Sequence, residues 1–261
     1  MAAYEAVHRT IMVFDIEQSN HPMRTNQDRV VIHEAMYAAV RTALRRVNYH
    51  HEDRGDGVLV LVSPEVPKGR LVSNLLARVD AALARHNVAM ERHGAARAAA
   101  TQVRLRVAVH AGEVTFDSHG VIGAAVDQTF RLNEAPALKS ALAMSTGDCG
   151  LIVSEWFFAE VVRHHPDAHP EQFRRVEIRV KETRTAAYIQ VAGEIPFDEP
   201  LPTAETFAEA LPARSAGPAL ARAWPAAEAL AAPPPAPGSW GQGGSQWVLP
   251  SPQLGRGPRW L

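Results

Sequence analysis

The sequence predicts an α+β fold, a ferredoxin-like βαββαβ core with extra C-terminal strands and a helix, followed by a tail that stays disordered. Three observations carry that prediction. Apolar runs of strand length and stretches of helical periodicity follow one another as strand, helix, strand, strand, helix, strand. An Asp-Gly pair, Asp56-Gly57, lies between the second and third strand-like runs, which is a strong hairpin signal. Beyond about residue 194 the chain becomes rich in Pro, Ala, Gly and Ser, with no sustained period, so it cannot bury enough apolar surface to offset its chain entropy. The organisation expected is one domain over residues 8–193 and a disordered tail over 194–261.

The elements follow in order. Residues 10–14 (TIMVF) form an apolar run that stops at Asp15, which reads as a buried strand ending in an acid. Ile32, Met36, Val40, Ala43 and Val47 recur at three- and four-residue spacing and predict an amphipathic helix over 27–47. Strands are expected at 49–53 and 58–62, joined through Arg54-Gly55-Asp56-Gly57 by a type I′ turn with positive φ at both central residues. After the breakers Pro64 and Pro67, Val72, Leu76, Val79 and Leu83 line one face of a second helix ending near Gly94. The Ala-rich residues 95–100 carry no clear instruction. Val103, Leu105, Val107 and Val109 alternate with Arg104, Arg106, Ala108 and His110, the period of a strand with one buried face. Ala111-Gly112 is expected to turn the chain, with 113–116 returning as a partner strand. A helix is expected from Gly123 to about Ala143, with Val126, Phe130, Ala137, Leu138 and Ala141 on its apolar side. A strand at 151–153, a helix at 155–162 capped by Ser154, and strands at 173–180 and 186–191 complete the domain.

Composition narrows the function. The formal net charge of -1 lacks the basic excess that phosphate-backbone recognition needs, so nucleic acid is not an expected partner. No apolar run approaches the length of about 18 residues that spans a bilayer, and the amino terminus lacks a signal-peptide core, so no membrane partner is expected. Cys149 is the single cysteine, which excludes a disulfide framework and points to a reducing, cytoplasmic setting. Trp240, Trp247 and Trp260 in the tail are compatible with docking of a protein partner or with plain disorder.

Two acids attract attention together. Asp15 ends the first strand and Asp56 sits in the hairpin turn, and the βαββαβ topology makes those segments neighbours. Singly, each has a plain structural reading. Jointly, two carboxylates about 4 Å apart would repel by roughly 4 kcal/mol at an effective dielectric of 20, and a shared hard cation such as Mg²⁺ keeps both ionised. The helix after Gly123 offers free N–H groups and a positive dipole end to an anion, and Asp127 and Arg131 share one of its faces. Neither GxxxxGK[ST] nor GxGxxG occurs, so a nucleotide would be held by metal and helix rather than by a glycine cradle.

Four segments resemble, in order, the motifs of the class III nucleotidyl cyclase catalytic domain: Val13-Phe14-Asp15-Ile16, then Glu52 to Gly57 (EDRGDG), then Arg106 to Val114 (RVAVHAGEV), then Gly123 to Leu132 (GAAVDQTFRL). The resemblance spans about residues 8–193. It implies a head-to-tail homodimer with sites at the interface, converting a nucleoside triphosphate to a 3′,5′-cyclic monophosphate and pyrophosphate. Asp15 and Asp56 match the metal-binding aspartates and the Ile16 carbonyl an accessory ligand, for two Mg²⁺ or Mn²⁺ ions per site. Arg131 matches the arginine that steadies the transition state from the other subunit, and Lys181 resembles the lysine of a late motif, without its usual following glycine. Glu52 stands where guanylyl cyclases carry a glutamate that accepts from guanine N1 and N2, which favours GTP over ATP. There are departures. Gly120 occupies a second base-reading position, Glu17-Gln18-Ser19-Asn20 replace the usual glycine and phenylalanine after Asp15-Ile16, and Asp127 stands in place of a ribose-orienting asparagine. They leave a second reading open: a catalytically weak or inactive cyclase-like module that binds nucleotide or dimerises in signalling.

Overall fold

In the computed structural model, residues 5–181 and 183–193 are described. The tail, Trp240, Trp247 and Trp260 included, lies outside the described residues. The elements, in chain order, are β1 (Val7–Ile16), α1 (Asn26–Ala43), β2 (Tyr49–Asp53), β3 (Gly57–Val62), α2 (Lys68–Val72), α3 (Leu75–Glu91), α4 (Ala95–Thr101), β4 (Leu105–Asp117), β5 (Gly120–Ile122), α5 (Ala124–Asn133), α6 (Pro136–Met144), β6 (Cys149–Ser154), α7 (Glu155–Glu160), β7 (Arg174–Val180) and β8 (Thr183–Val191). The sheet runs β2-β3-β1-β4-β6-β8-β7, with β5 paired to the outer part of β4. The first four strands in space, β2-β3-β1-β4, are the expected ferredoxin-like arrangement, and β6, α7, β7 and β8 are the C-terminal elaboration. Among the described residues only the β4–β6 pairing is parallel.

The sheet is covered on both faces, which explains why β3 and β6 read as unbroken apolar runs rather than alternating ones. Met12, Phe14, Val60 and Val107 pack with α1, α3 and α7 on one side, while Ile11, Val13, Leu59 and Ala108 pack with α5 and α6 on the other. Edge strand β2, by contrast, is buried nowhere along its length and carries charged and histidine side chains, the composition that blunts an exposed edge. A capping box starts α1: the Asp28 N–H donates to the Thr25 hydroxyl, and the Asp28 carboxylate accepts from the Thr25 backbone.

Four expectations are corrected, and one unassigned stretch gains an element. The chain does not turn at Ala111-Gly112; β4 runs straight through to Asp117 and turns at 118–119 into β5. Gly112 serves packing instead, since a Cβ there would lie 2.6 Å from the Ala125 Cβ of α5. Gly57 likewise has no turn conformation: a Cβ there would meet the Phe14 carbonyl at 2.8 Å, and the left-handed residue of the hairpin loop is Gly55 (φ 82). The helix expected after Pro67 breaks at Ser73-Asn74, where Asn74 adopts φ 52. The helix expected from Gly123 to Ala143 breaks before Pro136, which cannot donate an N–H to a continuing ladder. Residues 95–101 are the helix α4, tied to α1 by an ion pair between Arg97 and the buried Asp28.

Candidate active site

Three groups of side chains, assembled by the sheet and by α5, make up the candidate site. The first is at the end of β1. Antiparallel registers put Asp15 opposite Gly57 on β3 and opposite Arg106 on β4, and the Ile16 N–H donates to the Asp56 carbonyl at 2.9 Å. Asp15, Ile16 and Asp56 are thereby brought together, as the topology predicted. The loop that presents Asp56 is braced by Asp53, whose carboxylate accepts from the Gly55 N–H at 2.8 Å, from the Tyr37 hydroxyl at 2.9 Å, and lies 2.9 Å from His33 Nε2. The Gly55 N–H is the first cause holding the Asp53 carboxyl below its usual range. Burial and the Asp53 bond push the Tyr37 phenol up to about 12, so it stays a donor.

The two acids have different partners. The Arg106 guanidinium donates through both Nε (3.0 Å) and a terminal nitrogen to Asp15 Oδ2. The Ser19 hydroxyl donates to Asp56 Oδ2 at 2.7 Å. Burial is the largest influence on Asp15 and raises its carboxyl above the ordinary range, against the lowering effect of Arg106; the Asp56 charge adds to the rise. A desolvated acid whose pairing does not fully offset its burial is a place where an added cation would be favourable. A cavity of about 420 Å³, lined by Ile16, Ser19, Asn20, Arg29, His33 and Asp56 among others, opens beside this group. Among the described residues no cluster of three or more His, Cys, Asp or Glu side chains forms a metal cage. The donor set is two carboxylates plus main-chain oxygen. It fits a hard ion that keeps water and takes its remaining ligands from a phosphate, and does not fit a protein-only site.

The second group joins β2 to the β4–β5 hairpin. A Cβ on Gly120 would lie 3.2 Å from Glu52 Oε1, so the two predicted base-reading positions adjoin. Arg54 donates to Glu52 Oε2 at 2.6 Å, and the His50 ring approaches the other carboxylate oxygen at 3.5 Å. The Arg54 guanidinium also lies over the Phe130 ring of α5, 5.9 Å from its centroid.

The third group is α5 with the β7–β8 turn. Gly123 (φ 155) lets the helix start press on β4, because a Cβ there would meet the Glu113 carbonyl at 2.9 Å. Asp127 is exposed in the first turn. Arg131 donates to the Thr183 hydroxyl at 2.6 Å, which ties the end of α5 to the hairpin whose turn carries Lys181, exposed and left-handed (φ 52). The contact to Thr183 joins α5 to the strand that follows Lys181 in the chain, a link that spacing alone does not reveal.

Arg106, Ser19 and Arg54 are residues the sequence reading assigned no role. An arginine on the polar phase of a strand is ordinary; only the β1–β4 register identifies Arg106 as the counter-charge of Asp15. Cys149 is buried with its thiol raised by desolvation, in keeping with an incidental small side chain.

No protein-family model matches the chain, and neither does any curated protein. Solved structures do. A guanylyl cyclase, Cya2, superposes with a TM-score of 0.51 at 19% identity, over 76% of this chain and 99% of that one. An adenylate/guanylate cyclase/hydrolase from Silicibacter pomeroyi gives 0.50 at 16% identity, over 72% and 99%. The chain has the fold of class III nucleotidyl cyclase catalytic domains.

Proposed function

We propose that residues 8–193 are a nucleotidyl cyclase catalytic domain, converting a nucleoside triphosphate, GTP in preference to ATP, to its 3′,5′-cyclic monophosphate and pyrophosphate in a head-to-tail homodimer. The observation that carries this is the convergence of Asp15 and Asp56 at one end of the sheet within a cyclase fold. Asp15, Asp56 and the Ile16 carbonyl would hold the metal. Bound there, two Mg²⁺ or Mn²⁺ ions would acidify the ribose 3′-hydroxyl and neutralise phosphate charge.

This chain's residues supply the rest. Arg106 orients the Asp15 carboxylate and favours its ionised form against the effect of burial. The start of α5 at Gly123 directs N–H groups and the positive dipole end toward an anion. Arg131, steadied by Thr183, and Lys181 provide positive charge for the triphosphate, Arg131 from the partner subunit, where charge develops as pyrophosphate leaves. The Glu52 carboxylate accepts from guanine N1 and N2, while Gly120 offers backbone only.

Incubating the purified full chain with ATP, GTP, UTP and CTP in turn, each with Mn²⁺, tests the reading. A cyclic monophosphate, most from GTP, is expected, and silence with all four overturns it. Asp56→Ala should remove the product and leave the dimer, measured by light scattering. A second reading, a domain that binds triphosphate without turnover, is favoured by two observations: Arg106 occupies Asp15, and Asp127 adds negative charge at the anion-binding end of α5. Calorimetric binding without product selects it.

A further inference from the structure

We propose that Arg54 reads the base: with Glu52 it forms a donor–acceptor pair complementary to guanine, Arg54 donating to O6 while Glu52 accepts from N1 and N2. The proposal rests on the nucleotide reading above and names the base-selecting residue of that site.

Glu52 alone supplies only acceptors, and the edge of guanine presents an acceptor, O6, next to its two donors. Residue 120 supplies no side-chain donor for O6, and its backbone N–H is committed to Asp117 Oδ1 at 3.0 Å. A Cβ there would crowd the Glu52 carboxylate, 3.2 Å from Oε1 and 3.3 Å from Oε2. Arg54 fills that gap. One terminal nitrogen is committed to Glu52 Oε2 at 2.6 Å, so the guanidinium plane is tied to the carboxylate, and the Phe130 ring beneath it limits its swing. A guanidinium has five N–H donors in a planar fork, so one bond to Glu52 leaves others to offer at the same edge. Adenine mismatches this pair twice, turning its 6-amino donor toward Arg54 and its N1 acceptor toward Glu52. Arg54 stands two residues after Glu52, the spacing that places side chains on one face of an extended segment, just before Gly55 turns the chain with φ 82.

Binding of 3′-deoxy-GTP, 3′-deoxy-ITP and 3′-deoxy-ATP, which lack the cyclising hydroxyl, is measured by calorimetry with Mn²⁺ on the full chain. The parent should prefer the two 6-oxo purines. Arg54→Ala should weaken 3′-deoxy-GTP and 3′-deoxy-ITP alike, by about tenfold, and leave 3′-deoxy-ATP unchanged, because both affected bases carry O6. Glu52→Gln should instead penalise 3′-deoxy-GTP more than 3′-deoxy-ITP, since only the former has a 2-amino group. Arg54→Lys keeps the charge but not the fork, should fall between parent and alanine variant, and serves if the alanine variant does not fold. Unchanged selectivity in Arg54→Ala overturns the proposal alone. So does a loss that follows the Glu52→Gln pattern, which would mean that Arg54 only positions Glu52. A parent that prefers 3′-deoxy-ATP also overturns it, and a parent that binds none of the three overturns the cyclase reading and this proposal with it.

Discussion

Removing Arg106 should destabilise the domain and make its stability depend on divalent cation. In the folded chain both Arg106 donors converge on Asp15 Oδ2, with 14% of the arginine side chain and 19% of the aspartate side chain exposed. Breaking a fully buried pair by deleting one partner costs about 3–5 kcal/mol, because a charge is left uncompensated. Residual exposure screens this pair, and a carboxyl already raised by burial can escape by taking a proton, so we expect about 2 kcal/mol for Arg106→Ala. For a domain of this size that is a drop in Tm of roughly 4–8 °C. Asp15→Asn with Arg106→Ala should be less destabilised than the sum of the single variants, since the orphaned charge is gone. Mn²⁺ should raise the Tm of Arg106→Ala more than that of the parent, the cation taking the place of the guanidinium. Thermal melts of the four proteins with Mn²⁺ and with EDTA decide it. An Arg106→Ala protein that melts with the parent, or an equal Mn²⁺ response in both, refutes the reasoning.

Two other perturbations have definite signs. His110 is buried, its Nδ1 2.7 Å from the Ser154 hydroxyl, and burial first, then the charge of His8, lower its pKa from 6.5 to about 4. Between those values the unfolded chain binds the proton and the folded one does not, so stability is full above pH 6.5 and falls as pH drops toward 4, by about 3 kcal/mol from this group. Urea unfolding of His110→Gln at pH 7 and pH 4.5 should show a correspondingly smaller loss than the parent; the same loss in both excludes His110 as the source. Asp127→Asn removes negative charge from the first turn of α5, where the proposed triphosphate would lie, and should raise turnover by roughly tenfold with the dimer unchanged. Steady-state kinetics of the two proteins test this, and an unchanged or lower kcat/KM counts against an anion at that helix end.

The order of elements was legible because hydrophobic periodicity is a local property. Met36 and Val40 on α1, the apolar run of β3, and Ser154 as a cap bonded to the Phe157 N–H all stand where the pattern put them. What failed was glycine. Gly112 and Gly57 were read as turn residues, yet both are glycine for close approach, to Ala125 and to the Phe14 carbonyl, and nothing within a few residues of either one distinguishes the two uses. α4 was opaque for a related reason: an Ala-rich stretch declares helix only weakly, and the contact that anchors it, Arg97 to Asp28, crosses most of the distance between α1 and β4 in the chain. In the candidate site, the acids were legible because topology alone makes β1 and the β2–β3 loop neighbours. Their partners were not, since the Asp15–Arg106 pairing depends on a strand register that no local signal encodes.

The pairing of charges around the candidate site carries a consequence for the proposed chemistry. Asp15 is held by Arg106 and Glu52 by Arg54, so one of the two acids assigned to metal and the acid assigned to the base are each matched by an arginine. Asp56 has a hydroxyl, Ser19, rather than a cation. A divalent ion arriving by itself therefore meets one available carboxylate at Asp56 and must compete with a guanidinium for the other. An ion arriving with a triphosphate brings its own oxygen ligands and offers the displaced guanidinium a new anion, so the competition is relieved by the same molecule that needs the metal. On the proposed function, the arrangement would favour binding of the metal–nucleotide complex over either component, and Arg106 would couple the two.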